Sequence, residues 1–246
     1  MIERELDILT TDGAMNTFVV HPEEGGPFPV VLFYMDAYGR REELHDMARR
    51  IACVGYLVVL PNLYYRKARE VLVTEDEASR KRLMEVKEHL TTGLVMRDTK
   101  AMLDFVGAQR NAQQGSIGTV GYCMSGPYVF AAAGHFPEQI KCAASLYGVR
   151  LATDQPDSPH LLAHKVKGEL YFGCAEIDSY APKSMIDRLE THLKSLPSVR
   201  YRIEWYKGAH HGFAFPERRG AFHAPSAERH FERLFALFKR TLGWNW

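Results

Sequence analysis

The 246-residue sequence has few cysteines, almost no net charge and no long apolar run. Its formal net charge is +1, so no field of one sign favours nucleic acid or an anionic membrane surface. The longest apolar stretches, such as VVLFYM and YLVVLP, are far shorter than the roughly 20 residues that cross a bilayer. The start, MIERELDILTTDG, has no apolar core, so no secretory signal is predicted. We therefore expect no nucleic-acid partner, no membrane contact and a cytoplasmic location.

Only four cysteines are present, at Cys53, Cys123, Cys142 and Cys174, and none forms a C-x-x-C pair. Wide spacing without an export signal favours free thiols over a disulfide framework. No clustered His/Cys spacing indicates a metal site, and no cofactor is expected. Cys53, Cys142 and Cys174 lie inside apolar helix or strand patterns, which predicts that they are core residues.

What the sequence does contain is a strand-then-helix pattern that repeats along the chain. No internal repeat, low-complexity tract or Pro/Gly/Ser-rich linker interrupts it, so one domain over residues 1–246 is expected. The pattern predicts an α/β fold with a mostly parallel central sheet, helices on both faces and an N-terminal antiparallel hairpin. Strands are predicted at 4–9, 15–21, 29–35, 56–61, 116–123, 142–148, 168–175 and 199–208. Helices are predicted at 41–54, 125–134, 183–195 and 226–242, with two more within 74–110 that break near Thr91–Gly93.

The segment GYCMSG at residues 121–126 lies where a buried strand becomes a helix. It fits the small-x-nucleophile-x-small pattern of a nucleophile elbow, whose flanking residues must be small because strand and helix approach closely. The following helix N-terminus would activate the Cys123 thiol, and the Met124 N–H would be an oxyanion donor. From these flanks alone, a buried core thiol is an equally good interpretation. Ser125 fits worse as nucleophile, because its flanks are Cys123 and Pro127.

An acid and a base follow later strands in the order that such a nucleophile requires. Asp178 stands farther past its strand than Glu176, so it is the better candidate for the acid. The alternative is that Asp178 only caps the helix that begins near Pro182. The glycine-flanked loop GAHHGF at 208–213 offers two candidate bases, His210 and His211.

Other candidate residues lie in loops at the predicted strand ends. The loop after the 29–35 strand would supply a second oxyanion N–H from Ala37, and Asp36 would point into the site and modulate the thiol. Aromatic and basic side chains are candidates for contacts with a planar or anionic substrate. These are Tyr34, Tyr38, Tyr64, Tyr122, Tyr147, Phe213, Arg97, Arg218 and Arg219. Core packing for the rings, and a solvated face for the arginines, are the alternatives.

Taken together, these segments resemble the dienelactone hydrolase family of α/β-hydrolases over residues 14–242. The resemblance is carried by FYMDAYG at 33–39, GYLVVLPNLYYR at 55–66, GYCMSG at 121–126, DSYAP at 178–182 and GAHHGF at 208–213. It implies a triad of Cys123, His211 and Asp178, because the family's histidine directly precedes a small residue and Phe. It also implies that an acidic residue, here Asp36, holds the resting thiol and swings when substrate binds.

The family's best-known members carry Glu where this sequence has Asp36, and they hold the substrate carboxylate with an arginine shortly after the histidine. Here GFAFP follows His211, and the next arginines are Arg218 and Arg219. The resemblance implies an ester or lactone hydrolase that acts through a thioester acyl-enzyme, needs no cofactor and is a monomer or homodimer. The alternative is a small-molecule binding or thiol-sensor protein without turnover. A redox-active Cys123 is a weaker alternative, because no resolving cysteine lies near it in the sequence.

Overall fold

The computed structural model describes residues 1–70 and 76–243. Within these ranges the chain forms eight β-strands and six α-helices, which confirms the alternating pattern. Residues 74 and 75 of the predicted helical segment lie outside the described ranges. No described helix is both long and apolar enough to cross a bilayer. The chain divides into two compact units, residues 1–114 and the residues from 115 onward.

The first unit contains four strands in the order β1, β2, β4, β3. β1 and β2 form the predicted antiparallel hairpin, β2 is antiparallel to β4, and β4 is parallel to β3. β3 and β4 are buried along their whole length, as expected of continuous apolar runs. The strands are β1 (Ile2–Thr10), β2 (Gly13–His21), β3 (Phe28–Tyr34) and β4 (Leu57–Pro61), and the helices are α1 (Glu42–Ala52), α2 (Glu77–Glu88) and α3 (Thr92–Gly107).

In the second unit, four parallel strands lie in the order β5, β6, β7, β8. Their carboxyl ends therefore meet at one edge, where ligands of parallel sheets bind. α4 is apolar all round and its first nine residues are buried, whereas α6 is amphipathic and contacts β6, β7 and β8. The strands are β5 (Ala112–Tyr122), β6 (Ile140–Leu146), β7 (Glu169–Ile177) and β8 (Arg200–His210), and the helices are α4 (Gly126–His135), α5 (Lys183–Lys194) and α6 (Ala224–Leu242).

Candidate active site

Cys123 lies at the sharp turn between β5 and α4. Its φ angle is 53°, in the left-handed region that cysteine adopts only where the surroundings impose it. The Val149 N–H donates to the Cys123 carbonyl at 3.1 Å and helps to hold this turn. A strained backbone at a strand end indicates a functional position. The core interpretation of Cys123 is wrong, because the residue is partly exposed.

The burial of the other three cysteines agrees with the prediction for two of them. Cys142 and Cys174 are buried, as expected. Cys53 was predicted to be a core residue, which is wrong: it is exposed, and its sulfur lies 3.7 Å from the Met1 sulfur. Cys53 is the C-cap residue of α1 and keeps helical φ and ψ, so the helical period places its side chain off the buried face of Leu44, Met47 and Ile51.

Glycines allow the elbow to form because the backbones around it nearly touch. A Cβ atom at Gly121 would lie 2.8 Å from the Ser125 carbonyl oxygen. A Cβ atom at Gly126 would lie 2.4 Å from the Gly148 Cα, in the turn after β6. Real Cβ atoms do not approach other atoms so closely, so any larger residue at either position would displace the elbow. This packing is the physical reason for the small residues in GYCMSG.

Asp178 and His211 are brought together by the ends of β7 and β8. The His211 Nδ1 lies 2.7 Å from Asp178 Oδ2. Asp178 Oδ1 accepts the N–H groups of Tyr180 at 2.8 Å and Ala181 at 2.9 Å. Asp178 therefore orients the imidazole and also closes the turn at 178–181. It does not cap a helix, since α5 begins at Lys183 with Pro182 at its N-cap position.

His211 contacts both the acid and the nucleophile. Burial lowers the pKa of its imidazole, but hydrogen bonds to Asp178 and Cys123 outweigh burial and raise the pKa to about 9. Asp178 and Cys123 thus both act on the same imidazole. His210 is exposed, and His211 is the histidine that meets Asp178.

Glu176, the rejected candidate for the acid, has another contact. It lies within β7, and its carboxylate accepts the Gly208 N–H at 2.7 Å. Gly208 has a φ of 70° and lies within β8, three residues before His211. Glu176 therefore connects the end of β7 to the end of β8, whereas Asp178 is the carboxylate that contacts the imidazole.

Four of the predicted substrate-binding rings are buried. Tyr122, Tyr147 and Phe213 lie in the core of the second unit, and Tyr34 donates or accepts a 2.8 Å hydrogen bond with Thr99 in the first. The Tyr147 ring meets His211 edge-on, with centroids 5.1 Å apart. This burial favours the alternative of core packing, in which Tyr147 supports the imidazole, and a role of the four rings in substrate contact stays a prediction. Tyr38 is exposed, and its role in substrate contact stays a prediction.

One aromatic residue near the site was missed from sequence. The Tyr180 ring lies 5.0 Å from the His211 ring and is 70% exposed. Its place in DSYAP, two residues after the acid, was the available signal.

Two of the three basic candidates, Arg97 and Arg218, have different surroundings. The Arg97 guanidinium is 3.2 Å from the Asp12 carboxylate, which favours the alternative of a solvated structural residue. The Arg218 side chain folds back onto the backbone beside His211: a Cβ at Gly212 would lie only 2.4 Å from Arg218 Nη1. An arginine seven positions after the histidine in sequence is thus adjacent to it in space.

Asp36 is fully buried and held in an ion pair within the first unit. Arg41 Nη1 donates to Asp36 Oδ1 at 2.6 Å, and the Tyr38 N–H donates to the same oxygen at 3.2 Å. Arg41 also contacts Glu43. Burial lowers the pKa of Arg41, but the Asp36 and Glu43 carboxylates raise it by more than burial lowers it. The guanidinium therefore stays charged. A swinging Asp36 would have to break this pair, and its effect on the thiol stays a prediction.

The two predicted oxyanion donors occupy well-defined backbone positions. Met124 is buried in the one-turn 3₁₀ helix Cys123–Ser125 that follows the nucleophile. The Ala37 carbonyl accepts a 2.9 Å hydrogen bond from the Tyr64 hydroxyl, which holds the loop after β3. Tyr64 is thereby assigned to loop support. The oxyanion role of both N–H groups stays a prediction.

The raised pKa of His211 predicts a pH-dependent stability. A folded-state pKa of about 9 against an ordinary 6.5 stabilises the fold fully below about pH 6.5, and this contribution is lost as the pH rises to about 9. Urea unfolding of the wild type and of His211→Gln should therefore converge over that range, by up to roughly 1.4 kcal/mol per pH unit. The exposed His210, changed to Gln, is the matched control and should not reproduce the slope. A constant difference for His211→Gln would contradict the assignment.

Comparisons with known proteins agree with this architecture. Residues 15–242 match the model of the dienelactone hydrolase family. A Synechocystis protein provisionally named carboxymethylenebutenolidase is 27% identical over 232 residues, covering 92% of this chain and 91% of the relative. The carboxymethylenebutenolidase of Pseudomonas putida is 24% identical and covers 95% of both. A crystal structure of a provisionally named dienelactone hydrolase from Klebsiella pneumoniae superposes with a TM-score of 0.85 at 23% identity, covering 96% of this chain and 98% of that one. The predicted α/β-hydrolase fold is thus confirmed, and the chain belongs to the dienelactone hydrolase family.

Proposed function

We propose that this protein hydrolyses carboxylic esters or lactones with Cys123 as its nucleophile. The observation that carries the proposal is the series Cys123–His211–Asp178, in which a thiol on a strained turn meets an imidazole held by a buried carboxylate. Family membership and relatives named carboxymethylenebutenolidase support the ester and lactone class.

In the proposed reaction His211 takes the proton of the Cys123 thiol, the sulfur attacks the acyl carbon, and a C–S bond forms as the carbonyl π electrons move to oxygen. The resulting oxyanion is stabilised by the Met124 N–H, with Ala37 as the second donor predicted from the sequence. The C–O bond then breaks, and His211 gives its proton to the leaving oxygen. Next, His211 removes a proton from water, the hydroxide attacks the thioester, and the C–S bond breaks to release the acid. Asp178 holds Nδ1 of the imidazole throughout, so Nε2 is left to move the proton.

Arg218 suggests that the substrate carries a carboxylate. Its guanidinium lies against Gly212, beside the proposed general base. An arginine in this position suits a planar anion, which it can bind through two parallel N–H bonds. We propose a cytoplasmic enzyme, since a reducing compartment would keep Cys123 as the free thiol.

Direct detection of the acyl-enzyme tests the proposal. After the protein is mixed with p-nitrophenyl acetate and quenched in acid, we expect one acetyl group on the peptide that contains Cys123, lost again at the rate of turnover. Cys53→Ala is the matched control, because it removes the exposed thiol that the reagent could label without catalysis. A stable adduct without turnover on any ester would support the alternative, a binding or thiol-sensor protein, and contradict the proposed hydrolase.

A further inference from the structure

Tyr180 presents an exposed aromatic ring beside the His211 imidazole. The centroids of the two rings are 5.0 Å apart, and their planes are inclined by 53°. The tyrosine is 70% exposed, although an aromatic side chain of this size gains from being covered. A large exposed ring in contact with a reactive group is therefore a candidate for ligand contact.

A backbone hydrogen bond holds Tyr180 in place, and the side chain is not involved in that bond. The Tyr180 N–H donates to Asp178 Oδ1, so the acid fixes the backbone from which the ring projects. The imidazole also contacts the Tyr147 ring, which is 1% exposed and packs in the core. One of the two rings at His211 thus supports it from within the fold, and the other remains accessible from solvent.

A second exposed apolar side chain adjoins the same segment. Ile177 is 50% exposed, and in the β7–β8 register it is the neighbour of His210. Ile177 precedes Asp178 by one residue and Tyr180 follows it by two, so the segment that carries the acid exposes two large apolar side chains. Burying such surface against a ligand would contribute the usual apolar transfer energy.

We propose that Tyr180 binds a planar aromatic group of the substrate and thereby makes the enzyme prefer esters that carry an aryl group. The proposal rests on the proposed function, because it places that aryl group at the site where Cys123 and His211 act. Tyr180 is a specificity-determining residue in this scheme. Offset or edge-to-face contact between the two aromatic groups would supply the preference.

Alkylation of Cys123 tests this preference independently of turnover. Iodoacetamide and N-phenyl iodoacetamide share one reaction: the thiolate sulfur displaces iodide, a C–S bond forms and the C–I bond breaks. They differ by one phenyl ring. We expect the wild type to favour the phenyl reagent about threefold to tenfold in second-order rate over the ratio that free cysteine gives, and Tyr180→Ala to return the ratio of the two rates to that of free cysteine. Tyr180→Phe should keep it.

Trp205→Ala is the matched control, since Trp205 is another exposed ring in the same unit, on β8. Equal loss of preference in Trp205→Ala, or an unchanged preference in Tyr180→Ala, would overturn the proposal. The same variants are then assayed with phenyl acetate and ethyl acetate, where Tyr180→Ala should raise KM for the aryl ester only. If alkylation shows the preference while no ester is turned over, the aryl contact stands and the proposed hydrolase fails.

Discussion

Replacing Cys123 with alanine is expected to abolish the hydrolysis of p-nitrophenyl acetate, with a loss in kcat of about 10⁴-fold or more. The thioester cannot form without the sulfur, and water alone would have to attack the acyl carbon. The measurement is the initial rate of nitrophenolate release at saturating ester, with the buffer rate subtracted. Alanine removes only the Sγ atom from a turn whose conformation depends on Gly121 and Gly126, so the fold should persist.

Two controls make the Cys123→Ala result specific. Cys53→Ala removes the exposed thiol outside the proposed site and should retain full activity. Near-ultraviolet circular dichroism and the Tm of Cys123→Ala should remain close to those of the wild type. Full esterase activity in a folded Cys123→Ala protein would contradict the nucleophile assignment.

Replacing Asp178 with asparagine is expected to lower kcat by about 10³-fold to 10⁴-fold. The asparagine Oδ1 can still accept the Tyr180 and Ala181 N–H groups, so the 178–181 turn should form. Its amide N–H group would face His211 Nδ1, where Asp178 Oδ2 now accepts a hydrogen bond at 2.7 Å. The imidazole would then favour the tautomer that turns a hydrogen toward the nucleophile, and it would lose the contact that raises its pKa.

Glu176→Gln is the matched control for Asp178→Asn. Both changes convert a carboxylate at the end of β7 to an amide, but the Gln Oε1 can still accept the Gly208 N–H. We expect less than a threefold change in kcat for Glu176→Gln. The readout for Asp178→Asn includes the pH profile of kcat. The limb of this profile that reports the ionisation of His211 should shift toward lower pH, because the contact with Asp178 raises the His211 pKa. Activity of Asp178→Asn within tenfold of the wild type, with an unshifted profile, would contradict the orienting role.

Much of the fold was predictable because the strands are buried on both faces. Continuous apolar runs such as PVVLFYM and YLVVLP have few other stable environments, and each ends at a glycine, proline or polar loop. Helix and strand bounds accordingly differ from the prediction by a few residues at most for β3, β4 and α5. The exposure of Cys53 differs from the prediction because its position lies off the buried face of α1, although its neighbours in the chain are apolar.

The candidate site was only partly predictable for a different reason. Strand ends in chain order pointed to Cys123, to Asp178 and to the pair His210 and His211, because a parallel sheet collects its carboxyl ends at one edge, and the family resemblance selected His211. The orientation of a ring is not encoded in that order. Tyr147 and Tyr180 contact the same imidazole, yet one is buried and the other is 70% exposed.

The sequence by itself determined the α/β class and the small residues of the turn at Cys123, because these follow from apolar periodicity and local steric limits, and the order of nucleophile, acid and base that it predicts belongs to the proposed function. Tertiary structure alone decided that Arg218 returns to Gly212, that Asp36 is paired with Arg41, and that Tyr180 faces solvent beside His211. Each of these depends on how a loop closes in space. Loop closure is set by packing and hydrogen bonds between residues distant in the chain, and no local pattern of residue types records it.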